Sequence, residues 1–171
     1  MNSKIKAMCE CDAPYPEIRV ECKNPSYARL LSLAYAGPDS ELTAVLLYVY
    51  GRNMAKGKSP QVLSDVFRHV AAVEMRHIQM LGELIVLLGG EPRFSGPNRR
   101  VGVNTAMLGY ACEPCQMIKN AVAGEENAIR LYNDLIRNIG DKCVRDVLKR
   151  IIMDEEQHLK LFRELLCGGL E

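Results

Sequence analysis

Glu74-Met75-Arg76-His77 sits in the middle of a long helical pattern, and the same Glu-x-x-His spacing returns at Glu155-Glu156-Gln157-His158. Residues three apart share one face of a helix, so each motif aims a carboxylate and an imidazole in a single direction. Phe67, Val70, Ala71, Ile78 and Leu81 make an apolar stripe that includes Glu74 and His77, and Val147, Leu148, Ile151, Leu159 and Phe162 do the same for Glu155 and His158. Two acid-and-imidazole faces on inward stripes predict a helical bundle with a polar centre.

Working outward, Pro60 is favourable in the first turn of the helix that carries the first motif, and Gly89-Gly90 stops it after Leu88. A preceding helix runs from about Glu41 to Met54, with Asp39 or Ser40 as its cap, and a shorter one spans Pro25 to Ala36 before Gly37-Pro38. The second motif lies on a helix from about Asp141 to Leu166, closed by Gly168-Gly169, and Pro114 to Gly140 forms its partner. Between Gly89 and Glu113 the period is lost and Pro92, Gly96, Pro97, Gly102 and Gly109 accumulate, which predicts a long connection with at most short helical turns. A connection of that length inside a compact domain lets the third bundle helix run parallel to the second. The fold class expected is all-α: an antiparallel four-helix bundle with a long crossover between helices two and three and a short N-terminal helix. Residues 1–24, polar and holding Pro14 and Pro16, are expected to be an irregular surface arm, and residues 25–171 the bundle domain.

Size and composition agree with a single helical domain. The chain has 171 residues, of which 48% are apolar and 25% charged. A net charge of +1 without a long run of one sign gives no electrostatic reason to expect nucleic acid or an anionic membrane as partner. The N-terminus has no apolar signal-like segment, and seven cysteines are an odd number, so a cytoplasmic chain without a complete disulfide framework is expected.

Glu41 and Glu125 join the two motifs as acids on apolar stripes, each a similar distance before its Glu-x-x-His. A lone ionised carboxylate in a core is costly enough that it neutralises or finds a cation. One Glu-x-x-His arises easily by chance. Two in phase with apolar stripes, each with a further inward Glu, predict metal ligands: Glu41, Glu74, His77, Glu125, Glu155 and His158, a donor set suited to two iron or two manganese ions. Helix phase selects among neighbouring acids. Moving from Glu125 to Glu126 brings in Lys119, Arg130 and Arg137, and moving from Glu155 to Glu156 brings in Lys149, Lys160 and Arg163. Glu126, Asp154 and Glu156 are therefore expected in solvent, and His69 at the surface or boundary.

These six positions resemble the ligand set of the ferritin-like superfamily, which includes bacterioferritins, rubrerythrins and manganese catalases, over residues 38–166. Ala123-Gly124-Glu125 followed by Tyr132 resembles the third helix of rubrerythrins, although Ala128 stands where those carry a further Glu, and no pair of Cys-x-x-Cys motifs marks a fused rubredoxin domain. Lys23-Asn24-Pro25, Ala36-Gly37-Pro38-Asp39 and Glu41 resemble the N-terminal part of manganese-catalase-like spore-coat proteins. Glu74-Met75-Arg76-His77 is similar to bacterioferritin, where the Met binds haem at a dimer interface; Met75 is expected here to be a packing or interface residue without haem. Thirteen residues follow His158, too few for the fifth helix of a cage-forming ferritin.

The resemblance implies that Glu74 and Glu155 bridge the two ions, with Glu41 and His77 at one end and Glu125 and His158 at the other. It implies oxidoreductase chemistry on peroxide or dioxygen, of rubrerythrin-like peroxidase or catalase type, with an external electron-donor protein where one is needed and a homodimeric assembly. Ferroxidase activity, or a non-catalytic coat-type metal protein, are the alternatives. Tyr48 and Tyr132, each seven residues after a Glu of the set, are expected to hydrogen-bond ligand carboxylates. Cys112 and Cys115, at a helix start that lowers thiol pKa, form a candidate redox pair, and Cys9 and Cys11 candidate additional metal ligands.

Overall fold

In the computed structural model, which describes residues 2–57, 61–95 and 103–168, the chain forms α1 (Asn2–Met8), α2 (Pro25–Ala36), α3 (Glu41–Ala55), α4 (Gln61–Leu87), α5 (Pro114–Asn138) and α6 (Lys142–Leu166). The described residues contain no strand, and the crossover between α4 and α5 adds only a 3-10 turn at Thr105–Met107. Ser59, Pro60, Gly96, Pro97, Gly102 and Gly169, expected in turns, lie outside the described residues.

Short polar side chains start three of the helices by accepting backbone N–H groups that have no partner within the helix. Asn24 accepts from Ser26 and Tyr27 ahead of α2, Ser40 rather than Asp39 accepts from Thr43 at α3, and Asp141 accepts from Val144 at α6. At the end of α4, Gly89 has φ +87°, a conformation that favours glycine. The following Gly90 lets the chain pass close to α2, because a Cβ there would stand 2.6 Å from that of Ala28.

Side-chain pairings fix the helix directions. Glu41 of α3 meets Tyr132 of α5 while Tyr48 meets Glu125, so α3 and α5 are antiparallel. His77 of α4 meets Asp154 of α6 while Glu74 meets His158, so α4 and α6 are antiparallel as well. Since α3 and α4 are also antiparallel, with Ser64 bonded to Arg52 and His77 near Glu41, α4 and α5 run parallel. This is the topology that the long crossover predicts.

The apolar stripes pack into two clusters. One gathers Leu31, Leu81, Leu84, Leu88, Val147 and Ile151; the other gathers Val66, Phe67, Val70, Ala121, Leu161 and Phe162. Along α4, Phe67, Val70 and Ala71 belong to one cluster and Ile78 and Leu81 to the other, so Glu74 and His77 fall between them. None of the described helices is long and apolar enough to cross a membrane.

The N-terminal segment departs from the expected irregular surface arm. Its first part is helical, Ile5 and Cys9 are buried, and α1 packs against α4 and α6. Arg150 anchors the stretch from Cys11 to Tyr15: its Nε donates to the Ala13 carbonyl at 2.7 Å and its Nη2 to the Cys11 carbonyl at 2.7 Å. The guanidinium also stacks 4.0 Å above the Tyr15 ring. These anchors lie beyond the segment's own helix, on α6 rather than within it.

Candidate metal centre

Helices α3, α4, α5 and α6 each bring an acid to the middle of the bundle, and α4 and α6 each add an imidazole one turn on. Glu41, Glu74, His77, Glu125, Glu155 and His158 are all buried. Their oxygen and nitrogen atoms form two overlapping groups, Glu41, Glu74, His77 and Glu155 in one and Glu74, Glu125, Glu155 and His158 in the other, with the candidate ligand atoms of each group within 4.8 Å of one another. Glu74 and Glu155 belong to both.

The two groups are near mirror images in their contacts. His77 Nδ1 stands 2.9 Å from Glu74 Oε2, 3.2 Å from Glu155 Oε1 and 3.5 Å from Glu41 Oε2. His158 Nδ1 stands 3.1 Å from Glu74 Oε1, 3.1 Å from Glu155 Oε2 and 3.7 Å from Glu125 Oε1. Tyr132 donates a hydrogen bond to Glu41 and Tyr48 donates one to Glu125, so each outer carboxylate has its own buried hydroxyl. The two shared carboxylates differ: Glu74 Oε1 and Glu155 Oε1 are buried, make no aligned hydrogen bond, and face only the Nδ1 of His158 at 3.1 Å and of His77 at 3.2 Å. Buried carboxylate oxygens turned to an imidazole nitrogen and to no other donor are positions that a cation between them would satisfy.

Electrostatics in the cluster follow from four acids around two imidazoles. Burial alone would lower the His77 pKa, but Glu41, Glu155 and Asp154 outweigh it and hold the ring well above the usual histidine range. For His158 burial is likewise outweighed, there by Glu74 and Glu155. Burial, then the neighbouring Glu155 and Glu74, push the Glu125 carboxyl well above its ordinary value. The cluster thus gathers protons in place of other cations, the response expected of a buried excess of carboxylates. Burial and the adjacent carboxylates also push Tyr48 and Tyr132 well above the usual phenol range, keeping both as donors.

On the outer side of the histidines the N-terminal segment closes the site. His158 Nε2 donates to the Cys9 carbonyl at 2.8 Å, since a carbonyl can only accept. His77 Nε2 faces Asp154 Oδ2 at 3.1 Å. Asp154 corrects the solvated position expected from helix phase: it is fully buried and collects four partners. The Cys11 N–H reaches Oδ1 at 2.8 Å, and the Tyr15 hydroxyl at 2.6 Å and Arg150 Nη1 at 2.7 Å both reach Oδ2 beside His77. Burial acts to raise its pKa, yet these donors hold the carboxyl well below the usual carboxylate range. Neither Asp154 nor the Cys9 carbonyl is picked out by the acid-on-a-stripe signal.

The remaining residues singled out in the sequence lie elsewhere. Glu126 pairs with Arg163 at 2.7 Å and Glu156 is exposed. His69 is half-buried beside Arg68, at 2.9 Å, and Met75 is exposed on the outer face of α4. Cys112 and Cys115 are exposed free thiols at the start of α5, whereas burial pushes the Cys9 thiol up to about 11. Among the described residues, none of Cys9, Cys11, Cys112 and Cys115 falls in a group with metal-ligand spacing.

Residues 39–167 match the family model described as Ferritin-like domain. The chain belongs to the ferritin-like family. Among its relatives, the protein named "Probable manganese catalase" from Clostridium acetobutylicum is 28% identical, over 88% of this chain and 74% of the relative. The fold of this ferritin-like protein is also that of a crystal structure of a manganese catalase from Anabaena, with TM-score 0.81 at 20% identity over 93% of this chain and 79% of the other. A bacterioferritin from Mycobacterium tuberculosis superposes with TM-score 0.71 at 23% identity, over 86% of this chain and 87% of that one.

Proposed function

We propose that the chain is a dinuclear iron or manganese oxidoreductase acting on peroxide, with Glu41, Glu74, His77, Glu125, Glu155 and His158 as its metal ligands. The observation that carries this is the sharing of Glu74 and Glu155 between two ligand groups, each with a buried carboxylate oxygen that faces a histidine Nδ1 and no other donor. The relative named as a probable manganese catalase supports peroxide as the substrate.

The donor set fits two divalent ions on chemical grounds. Four carboxylates balance their charge, and imidazole with carboxylate suits iron or manganese. Glu41 and His77 would hold one ion and Glu125 and His158 the other, with Glu74 and Glu155 reaching both. When bound, the pair supplies one-electron steps at each of two ions for chemistry on an oxygen–oxygen bond.

The chain's own residues prepare the site for that role. With Nε2–H of each ring turned to Asp154 or to the Cys9 carbonyl, Nδ1 is the nitrogen left to face a cation. Tyr132 and Tyr48 fix the rotamers of Glu41 and Glu125. The N-terminal segment, through Cys9 and Cys11, excludes water from the histidine side, and the two apolar clusters close the bundle above and below.

Loading the purified chain separately with manganese and with ferrous iron, then adding hydrogen peroxide in an oxygen-electrode cell, tests the proposal. Metal-dependent, saturable peroxide consumption is expected, with oxygen release marking catalase turnover. Rapid oxidation of added ferrous ion without peroxide turnover would identify a ferroxidase instead. Metal uptake with neither reaction would assign the centre a structural role.

A further inference from the structure

Opposite the N-terminal segment, the centre opens into a cavity of about 330 Å³ between α3 and α5. All four carboxylates of the cluster line it, whereas neither histidine does. Its walls are mainly apolar and small side chains, among them Ala44 and Leu47 on α3 and Ala128 and Leu131 on α5, with the polar Thr43, Tyr50, Asn120 and Asn127 also in the lining. One face of the centre is sealed and the other is roomy.

That space is large for peroxide. A water molecule occupies roughly 30 Å³ in the liquid, and an apolar cavity of roughly 150 Å³ holds benzene. A cavity at the lower end of the range used by small organic ligands therefore includes the carboxylate floor of the site, and the smallest oxygen substrates, together with two ions, need only part of it. Charge narrows the ligand class further. Asp39 and the four Glu are the charged residues of the lining, and no Lys, Arg or His is among the described lining residues. A carboxylate or phosphate would meet no cationic side chain in the walls, only neutral donors such as Thr43, Tyr50, Asn120 and Asn127, and the Asp39 carboxylate would repel it. Once two divalent ions balance the four Glu, a cation has no excess negative charge at the floor to meet. What fits is an uncharged molecule with an apolar body and an oxygen function at one end.

We infer that this cavity binds an uncharged organic hydroperoxide, its alkyl or aryl body between α3 and α5 and its O–O group at the carboxylate floor; this substrate class rests on the metal-centre reading above. The reaction is reductive cleavage. The O–O bond breaks, the alkyl oxygen leaves as an alcohol and the terminal oxygen as water. Two electrons and two protons come from a dithiol, which is oxidised to a disulfide.

The probe is 2-phenylpropan-2-ol, the unreactive alcohol left by cumene hydroperoxide, titrated by NMR or calorimetry into metal-loaded and metal-free protein. Saturable binding with a Kd below about 1 mM is expected for both forms. Gly124 is exposed and a Cβ there would meet no atom within 4 Å, so Gly124→Leu narrows the mouth of the cavity without a clash; Ala44→Leu, at a half-buried position, fills it from the opposite wall. Each variant is expected to weaken alcohol binding by at least about tenfold. With dithiothreitol as reductant, each should lower the kcat/KM ratio of cumene hydroperoxide to hydrogen peroxide by a similar factor. Circular dichroism and metal content confirm that each variant folds and loads. Absence of saturable alcohol binding to wild type, or unchanged binding and ratio in both folded variants, overturns the inference while metal uptake and peroxide turnover stand. Failure to take up metal defeats the metal-centre reading instead, and the alcohol titration of metal-free protein still decides what the cavity accepts.

Discussion

Asp154 Oδ2 stands 3.1 Å from Nε2 of His77, so one imidazole of the centre is backed by a buried carboxylate. The other, His158, is backed by the neutral carbonyl of Cys9 at 2.8 Å. The two ends of a site with matched ligands are therefore unequal one layer out. A carboxylate behind an imidazole raises its basicity and fixes its tautomer more firmly than a carbonyl does. Asp154→Asn is expected to weaken binding at the Glu41–His77 end by about 10–100-fold and to spare the other end. Chelator competition resolved into two sites checks this; equal weakening at both ends, or none, contradicts it.

Arg150 ties the N-terminal segment to Asp154 with two hydrogen bonds and an ion pair in a buried setting. Removing it leaves the Asp154 carboxylate without its guanidinium and two carbonyls without their donor. Arg150→Ala is expected to cost about 3–5 kcal/mol, the range for breaking a buried pair from one side. Urea unfolding measures it, and a loss under about 1 kcal/mol would mean that the segment contributes little to the fold.

The buried hydroxyls of Tyr48 and Tyr132 each serve a carboxylate that has few other donors. Tyr48→Phe and Tyr132→Phe are each expected to destabilise the protein by about 1–3 kcal/mol, the range for leaving a buried acceptor without its donor. Metal loading should recover part of that loss, because a bound ion also satisfies the carboxylate. Thermal melts of both variants with and without metal decide it.

The pH dependence of the metal-free protein comes from the protons that the cluster gathers. His77 and His158 have raised folded-state pKa values, so the stability they contribute is complete below about pH 6.5 and is lost as pH rises through those values. Glu125, also raised, acts in the same direction, since its burial favours the protonated form, but its contribution is complete only below about pH 4.3 and declines from there through its raised value. Asp154 acts oppositely, but its contribution is already complete above about pH 4 and is lost only in acid. Metal-free protein is expected to lose stability from about pH 6.5 upward, while the gain from bound metal grows over the same range as ligands shed protons. Melting temperatures of both forms from mildly acidic to mildly alkaline buffer check the two opposite slopes.

Much of this site is legible in the sequence because an acid on an apolar stripe has few explanations. Glu74 and Glu155 announce themselves through Val70, Ile78, Ile151 and Phe162, and Ser40, Asp141 and Gly89 mark helix ends by local chemistry alone. Asp154 is not legible in this way. Helix phase puts it beside, not on, the stripe of Glu155 and His158, and it is covered by a segment whose inward residues, Ile5, Cys9 and Tyr15, keep no period. Its burial is long-range, set by contacts to residues well over a hundred positions away. The cavity is hidden for a related reason. Gly124, Ala128 and Ala44 on helix faces are equally compatible with close helix packing, and only the actual separation of α3 and α5 distinguishes a gap from a contact.

In the proposed centre, Glu74 and Glu155 hold two ions jointly. Metal content of the purified chain by mass spectrometry, compared with the Glu74→Ala, Glu155→Ala double variant, tests it most directly. Two iron or manganese ions per wild-type chain and near-complete loss of both in the folded double variant are the expected results; unchanged metal content in that variant would contradict the account.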